Sequence, residues 1–280
     1  MGADEGVLPS VFENVPSPAC FILKNNPMSD SIHIKLPDGS SKEVPRGTAV
    51  PVPTGRDLIA PLWHTAVLLA VLAVVTILGW VAQRRVQARA ATPAPAVRLM
   101  PLQIQAIVFE WATLAWVWFG VRRKKVKVAE LVAGRWPNAK SVAIDVLLAG
   151  GLWGLWIGIS RVETWLLGHN HGPDAIPYPA NLLEGLLAMV VAVSAGVCEE
   201  IVFRGYFQRQ FLALTKSAAA AVLLQAAVFG APHVYQGARL AAMVALYGIL
   251  FGALALWRRS LRPGILAHAW SDIAARLLRI

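Results

Sequence analysis

The feature that most limits what this chain can fold into is a series of apolar runs. Each is close to the ~20 residues that a helix needs to cross a bilayer. Pro61–Ala82, "PLWHTAVLLAVLAVVTILGWVA", carries no Asp, Glu, Lys or Arg, and Pro101–Gly120, "PLQIQAIVFEWATLAWVWFG", carries only Glu110. Further runs cover Val142–Ile159, Leu182–Val197, Ala218–Ala231 and Leu240–Trp257, and a last one starts near Gly264. Backbone in hydrocarbon must satisfy its own hydrogen bonds, so such runs read as helices. The expected fold is all-α: a polytopic membrane bundle of about seven transmembrane helices with a polar, mostly irregular N-terminal tail.

The net charge of +10 raises the question of a nucleic-acid partner, and its placement argues against one. "RRVQAR" follows the first run and "VRRKKVK" follows the second. Juxtamembrane clusters of this kind orient a membrane protein and attract anionic lipids. Arg122, Arg123, Lys124, Lys125 and Lys127 place their loop in the cytoplasm. "GHNHGPDAIPYPAN", without Lys or Arg, then falls outside. The chain is expected in the cytoplasmic membrane of a bacterium, and its oligomeric state is not readable from the sequence. Within "KVKVAELVAGRWP", apolar residues at near-helical spacing between basic flanks predict a short amphipathic helix on the cytoplasmic surface. Cys20 lies in the tail and Cys198 inside an apolar run, so no disulfide is expected.

Three segments follow: a tail over 1–58, two spans with the linker helix over 59–138, and a membrane core over 139–280. In the tail, "SIHIKLPDGSSKEV" alternates Ile32, Ile34 and Leu36 ahead of Pro37-Asp38-Gly39-Ser40, a hairpin signal over 31–45. The stretch "DSIHIKLPDGSSKEVPRGTAV" also resembles the start of the ubiquitin-like TGS domain of threonyl-tRNA synthetases.

The core holds charges where charge is expensive. In "GVCEEIVFRGYF", Glu200 and Arg204 are four apart and can pair on one helix face. Glu199 is rotated by about 100° from its neighbour and is not neutralised by that pair. Ionisable residues inside a membrane are functional candidates by default, and a positioned carboxylate is a general-base candidate. The competing reading is a salt-bridge cluster that locks helices together. "FGAPHVY" adds His233, four residues after Phe229, and "ILAHAWSD" adds His268 and Asp272, four apart. On a helix Asp272 can orient or bind alongside the His268 imidazole. Together they form a candidate water-activating site, or a site for a divalent metal such as zinc with Glu199, His233 and His268 as ligands. Folding the chain at Thr215–Lys216 brings Glu199 level with His233, while simple counting leaves His268 too near the cytoplasmic end.

These motifs carry a resemblance. "EEIVFR", "FGAPH" and "HAWSD" are similar to the EExxxR, FxxxH and HxxxD/N motifs of the CPBP family, the CAAX prenyl proteases and bacteriocin-processing (Abi) proteins. The likeness covers roughly Ala139 to Ile280. It implies intramembrane hydrolysis of a peptide bond in a membrane-anchored protein or peptide. It further implies Glu199 as the water activator, His233, His268 and Asp272 as the rest of the catalytic set, and Glu200, Arg204 and Phe229 in support. Whether a metal takes part stays open.

Several residues stand outside this set. His169 and His171 of "GHNHG" read as solvent-exposed, Cys198 as a packing residue, and His64 as a span-edge residue without a role. Glu110 either pairs with a distant Arg or extends the polar cavity. The competing functions are a non-catalytic membrane scaffold or immunity protein retaining the fold, and an ion-coupled transporter. The latter requires an internal repeat, and none is apparent.

Overall fold

The computed structural model describes residues 31–35, 41–45, 57–88, 98–133, 136–168 and 178–278. The chain divides into two units, Met1–Thr54 and Gly55–Ile280. In the first, strands β1 (Ser31–Lys35) and β2 (Ser41–Pro45) pair antiparallel, with Ser31 opposite Pro45 and Lys35 opposite Ser41. Cys20, His169 and His171 lie outside the described residues.

The second unit is helical. In chain order it contains α1 (Leu62–Ala88), α2 (Leu99–Arg122), α3 (Val128–Val132), α4 (Ala139–Leu167) and α5 (Leu182–Glu199). A π-helical segment (Glu200–Phe207) leads into α6 (Gln208–Thr215), followed by α7 (Ala218–Gly230), a 3-10 turn (Ala231–Gln236), α8 (Ala238–Arg258) and α9 (Arg262–Ile273). A second π segment, Ala274–Leu278, continues α9. Polar caps mark where helices begin: the Asn138, Asn181 and Ser217 side chains accept from the Ser141, Glu184 and Ala220 amides.

Six helical stretches among the described residues are long and apolar enough to span a membrane, with α5, the π segment and α6 counted as one rod from Leu182 to Thr215. The protein is an integral membrane protein. The last apolar run, expected as a seventh span, gives the 12 residues of α9. Pro263 in its first turn fixes the start.

The rod of 34 residues is the axis of the bundle, with 61% of its apolar window inside against 11% for α4. Small residues allow close packing around it. A Cβ on Gly196 would stand 2.8 Å from the Ala269 amide nitrogen, so α9 lies directly against α5. A Cβ on Gly230 would stand 2.7 Å from the Ala241 carbonyl oxygen, which sets α7 against α8. At the other end α3 is shorter than the amphipathic helix expected, and it is anchored rather than laid on a surface. Leu131 is buried beside Gly205, its carbonyl accepts from Arg209, and the Val132 carbonyl accepts from the Leu261 amide at 2.9 Å.

A second polar knot joins α1, α2 and the rod. His64 is fully buried, with one ring nitrogen 2.7 Å from the Tyr206 hydroxyl and the other 2.7 Å from the Trp116 carbonyl, and its ring stacks on Trp116. Gln210 donates to Thr65 Oγ1 and the Ala60 carbonyl, and its own carbonyl accepts from the Ile59 amide. His64, read from the sequence as needing no role, therefore holds three helices together. A span-edge position in the sequence gives no sign of tertiary burial.

Candidate active site

Depth comes first, because the three motifs lie on separate segments. α7 turns back from α6 at Lys216, whose φ of 58° makes the tight reversal. That brings the 3-10 turn bearing His233 to the level of Glu199, and both line one cavity. The offset counted for His268 has a physical answer. Leu261 packs on Gly205, so α9 begins part-way along the rod. Glu199 lies six residues before Gly205 and His268 seven after Leu261, and at ~1.5 Å per residue the two come level. At that rise the rod is about 50 Å long, longer than the ~30 Å hydrocarbon thickness.

The "EEIVFR" stretch is a junction rather than a uniform α-helix. Glu199 ends α5 and Glu200 opens the π segment. π turns inside helices are rare and recur at functional sites, since the wider turn re-aims side chains. Arg204 Nη1 donates to Glu200 Oε1 at 2.8 Å, and both side chains are essentially inaccessible. Arg204 Nε and Nη2 have no hydrogen-bond partner among the described residues, but the guanidinium lies 4.2 Å from the Phe229 ring centroid and 5.2 Å from that of Phe251. The aromatic faces serve in place of acceptors.

Glu200 has a second contact that its pairing with Arg204 does not suggest: its Oε1 is 3.0 Å from His268 Nδ1. A carboxylate already held by Arg204 accepts, so Nδ1 is the donor, and Nε2 points the other way. The expected pairing of Glu200 with Arg204 is present, but it is not closed on itself. Arg204, Glu200 and His268 form one line, and the partner of His268 Nδ1 is Glu200 rather than Asp272. Rings at near-perpendicular angles fix the imidazole further: Phe229 and Tyr247 have centroids 6.0 Å away and Phe251 5.7 Å. Phe229 thus touches Arg204, His268 and also His233, whose centroid is 6.1 Å away.

Glu199 has a different environment. Its side chain is 30% exposed, and Oε2 lies 3.6 Å from His268 Nε2. That separation exceeds a good hydrogen bond, so the two groups face a shared point instead of neutralising each other. Glu199 lines a cavity of about 80 Å³ together with Glu110, Thr113, Phe203, Phe229 and His233 among others. His233 Nδ1 is buried and makes no close hydrogen bond among the described residues. Asp272, next along α9, interacts electrostatically with Glu199, His268 and His233. Cys198 is buried with a free thiol, packed as a small residue.

The structure thus gathers Glu199, His233, His268 and Asp272 in one neighbourhood with Glu200, Arg204 and Phe229 behind them. No three His, Cys, Asp or Glu side chains among the described residues converge closely enough to hold a metal ion. His268 Nδ1 is held by Glu200, which leaves Nε2 facing Glu199, and Glu199, His233 and His268, the expected zinc set, do not form such a cluster as they stand. Glu110, left between two readings, lines the cavity and has no Arg partner among the described residues. Its signal in the sequence was a lone carboxylate in an apolar span.

Comparison with curated proteins and with solved structures gave no match. Residues 181–274, which hold all three motifs, match the family model of the Rce1-like type II CAAX prenyl endopeptidases.

Proposed function

We propose that this protein is an intramembrane CAAX-type endopeptidase in which Glu199 activates a water molecule for attack on a peptide bond of a membrane-anchored peptide or protein. The observation that carries this reading is the pairing of a partly accessible Glu199 with a buried His268 whose far nitrogen is fixed by Glu200.

A water between Glu199 Oε2 and His268 Nε2 gives its proton to the carboxylate as its oxygen attacks the scissile carbonyl carbon. The charge that develops on the carbonyl oxygen is met by His233 and His268, donors held by surrounding protein before the reaction begins. Asp272 supports the positive character of the His268 ring. Collapse breaks the carbon–nitrogen bond as the leaving amine takes up a proton, and Glu199 is returned to its carboxylate form by the end of the cycle. Every step uses side chains of this chain and none needs a metal.

Arg122 over Trp118 and Arg123 over Trp63 place basic groups on interfacial aromatic rings. They support contact with anionic lipids at the cytoplasmic face of a bacterial inner membrane.

The test uses purified protein in detergent or vesicles with two probes: a peptide ending in a prenylated cysteine plus three residues, and an unprenylated peptide on a transmembrane anchor. Cleavage of either, abolished by Glu199→Gln, is expected. Equal rates for wild type and Glu199→Gln would refute the reading and favour a scaffold that retains the fold.

A further inference from the structure

Glu110 lies on α2, outside the stretch of chain that carries the motifs, and nothing in the mechanism above uses it. It is 8% exposed, and its Oε2 has no hydrogen-bond partner among the described residues. Burying an ionised carboxylate without donors is costly, and few apolar spans tolerate it without a return. Its position is held rather than incidental. Trp111 Nε1 donates to Ser194 Oγ at 3.1 Å and Gln103 Nε2 donates to the Glu184 carbonyl at 2.9 Å, which fixes α2 in register against α5. That register brings Glu110 to the cavity shared by Glu199 and His233, whose remaining walls are mostly Leu72, Phe109, Val202, Phe203 and Phe229.

The charged and titratable groups facing it come from every packed element. α5 presents Glu199 and Cys198, the 3-10 turn His233, α9 His268 and Asp272, and the final π segment Arg276. Two carboxyl groups sharing one apolar cavity hold a proton between them more readily than two charges. One of them then serves as base and the other as acid.

We propose that Glu110 is a second catalytic carboxyl group, the acid that protonates the leaving amine. The proposal rests on the hydrolytic reading of Glu199. In it Glu199 starts as carboxylate and Glu110 as carboxylic acid. Water loses a proton to Glu199 and its oxygen bonds to the carbonyl carbon. The carbon–nitrogen bond then breaks as the Glu110 proton moves to the nitrogen. The new carboxylic acid returns a proton to Glu110, and Glu199 gives its proton to the free amine. The products are a carboxylate and an ammonium group, with both glutamates restored.

The experiment compares wild type, Glu110→Gln, Glu110→Asp and Glu199→Gln on the prenylated peptide probe. Each is measured with an amide and with an ester at the scissile position, across pH. An alkoxide leaves more readily than an amide anion, so ester cleavage depends less on an acid. Glu110→Gln is expected to lose ~100-fold or more in kcat on the amide, the scale of general acid catalysis, with KM unchanged and the alkaline limb of the pH profile gone. On the ester its loss should shrink to below about tenfold, and Glu110→Asp should keep the alkaline limb at reduced rate. A uniform loss on both probes with an unchanged pH profile marks a packing role and overturns the proposal, as does a wild-type rate in Glu110→Gln. If Glu110→Gln fails to fold, Glu110→Asp decides by the same amide-to-ester ratio. Activity surviving Glu199→Gln overturns the hydrolytic reading itself, and the proposal with it.

Discussion

Removing the charge of Arg204 separates two roles that Glu200 plays at once. Arg204→Met keeps chain length and a side chain that packs well on Phe229 and Phe251, but leaves Glu200 buried with His268 as its one hydrogen-bond partner among the described residues, because Glu200 Oε2 has none there. The lost interaction is a 2.8 Å charge-assisted bond with side-chain exposures of 0% and 1%. Breaking a pair that deep by removing one partner costs about 3–5 kcal/mol, since the remaining charge is stranded. Spread over a helical unit of this size, that is a fall of roughly 10 °C in unfolding temperature. The second half of the perturbation replaces both partners, Glu200→Leu with Arg204→Met. Apolar residues of similar volume typically restore the stability of a buried pair or exceed it. The double variant should therefore unfold within ~1 kcal/mol of wild type. Its activity should not return, because His268 Nδ1 has lost the acceptor that aims Nε2 at Glu199. Misplacement by ~1 Å can cost about 100-fold in rate. Thermal unfolding in detergent and peptide cleavage, measured on the same preparations, give both readouts. A double variant that regains both wild-type stability and wild-type rate would refute the orienting role of Glu200. An Arg204→Met protein as stable as wild type would refute the cost assigned to the pair.

Other perturbations test neighbouring links. Gly196→Val pushes a side chain into the Ala269 amide and the Ile265 carbonyl. It should move α9 and lower kcat by tenfold or more, on the order expected for a small shift of a reacting group, read by cleavage and by protease resistance of the folded protein. Gly120→Ala overlaps the His64 ring, so it should destabilise the protein by a few kcal/mol, about the scale of core overpacking, and a double variant with His64→Ala should be less than additive. Chelators should leave cleavage unchanged, because the described site forms no three-ligand cluster; loss on chelation with recovery on added zinc would overturn the metal-free route.

The helical membrane class was legible because runs such as Pro61–Ala82 admit little else once water is gone. Depth was legible for Glu199 and His233, since a single reversal at Lys216 sets it and a constant rise per residue measures it. His268 was not, because its level depends on Leu261 meeting Gly205, a contact between segments 56 positions apart. The amphipathic reading of 125–137 caught a real helix but missed that Leu131 is drawn inward under the rod. Periodicity reports which side is apolar, not what covers it. His64 was passed over for the same reason: a histidine at a span edge is ordinary until Tyr206 and Trp116 are found on either side.

The pairing rule for Glu200 and Arg204 was correct in what it joined and incomplete in what it left out. Helical spacing identifies partners on the same rod, and it is silent about a second acceptor site on the same oxygen. Glu200 Oε1 serves Arg204 from its own helix and His268 from α9. That shared oxygen makes the costly buried pair useful: the cation fixes Glu200 as an acceptor, and the acceptor fixes which nitrogen of His268 faces Glu199. In the proposed mechanism Glu199 needs no such partner, because a base held by a salt bridge would be a poor one. The two adjacent glutamates are therefore divided by the α-to-π junction that runs between them, one anchored behind the site and one turned into the cavity.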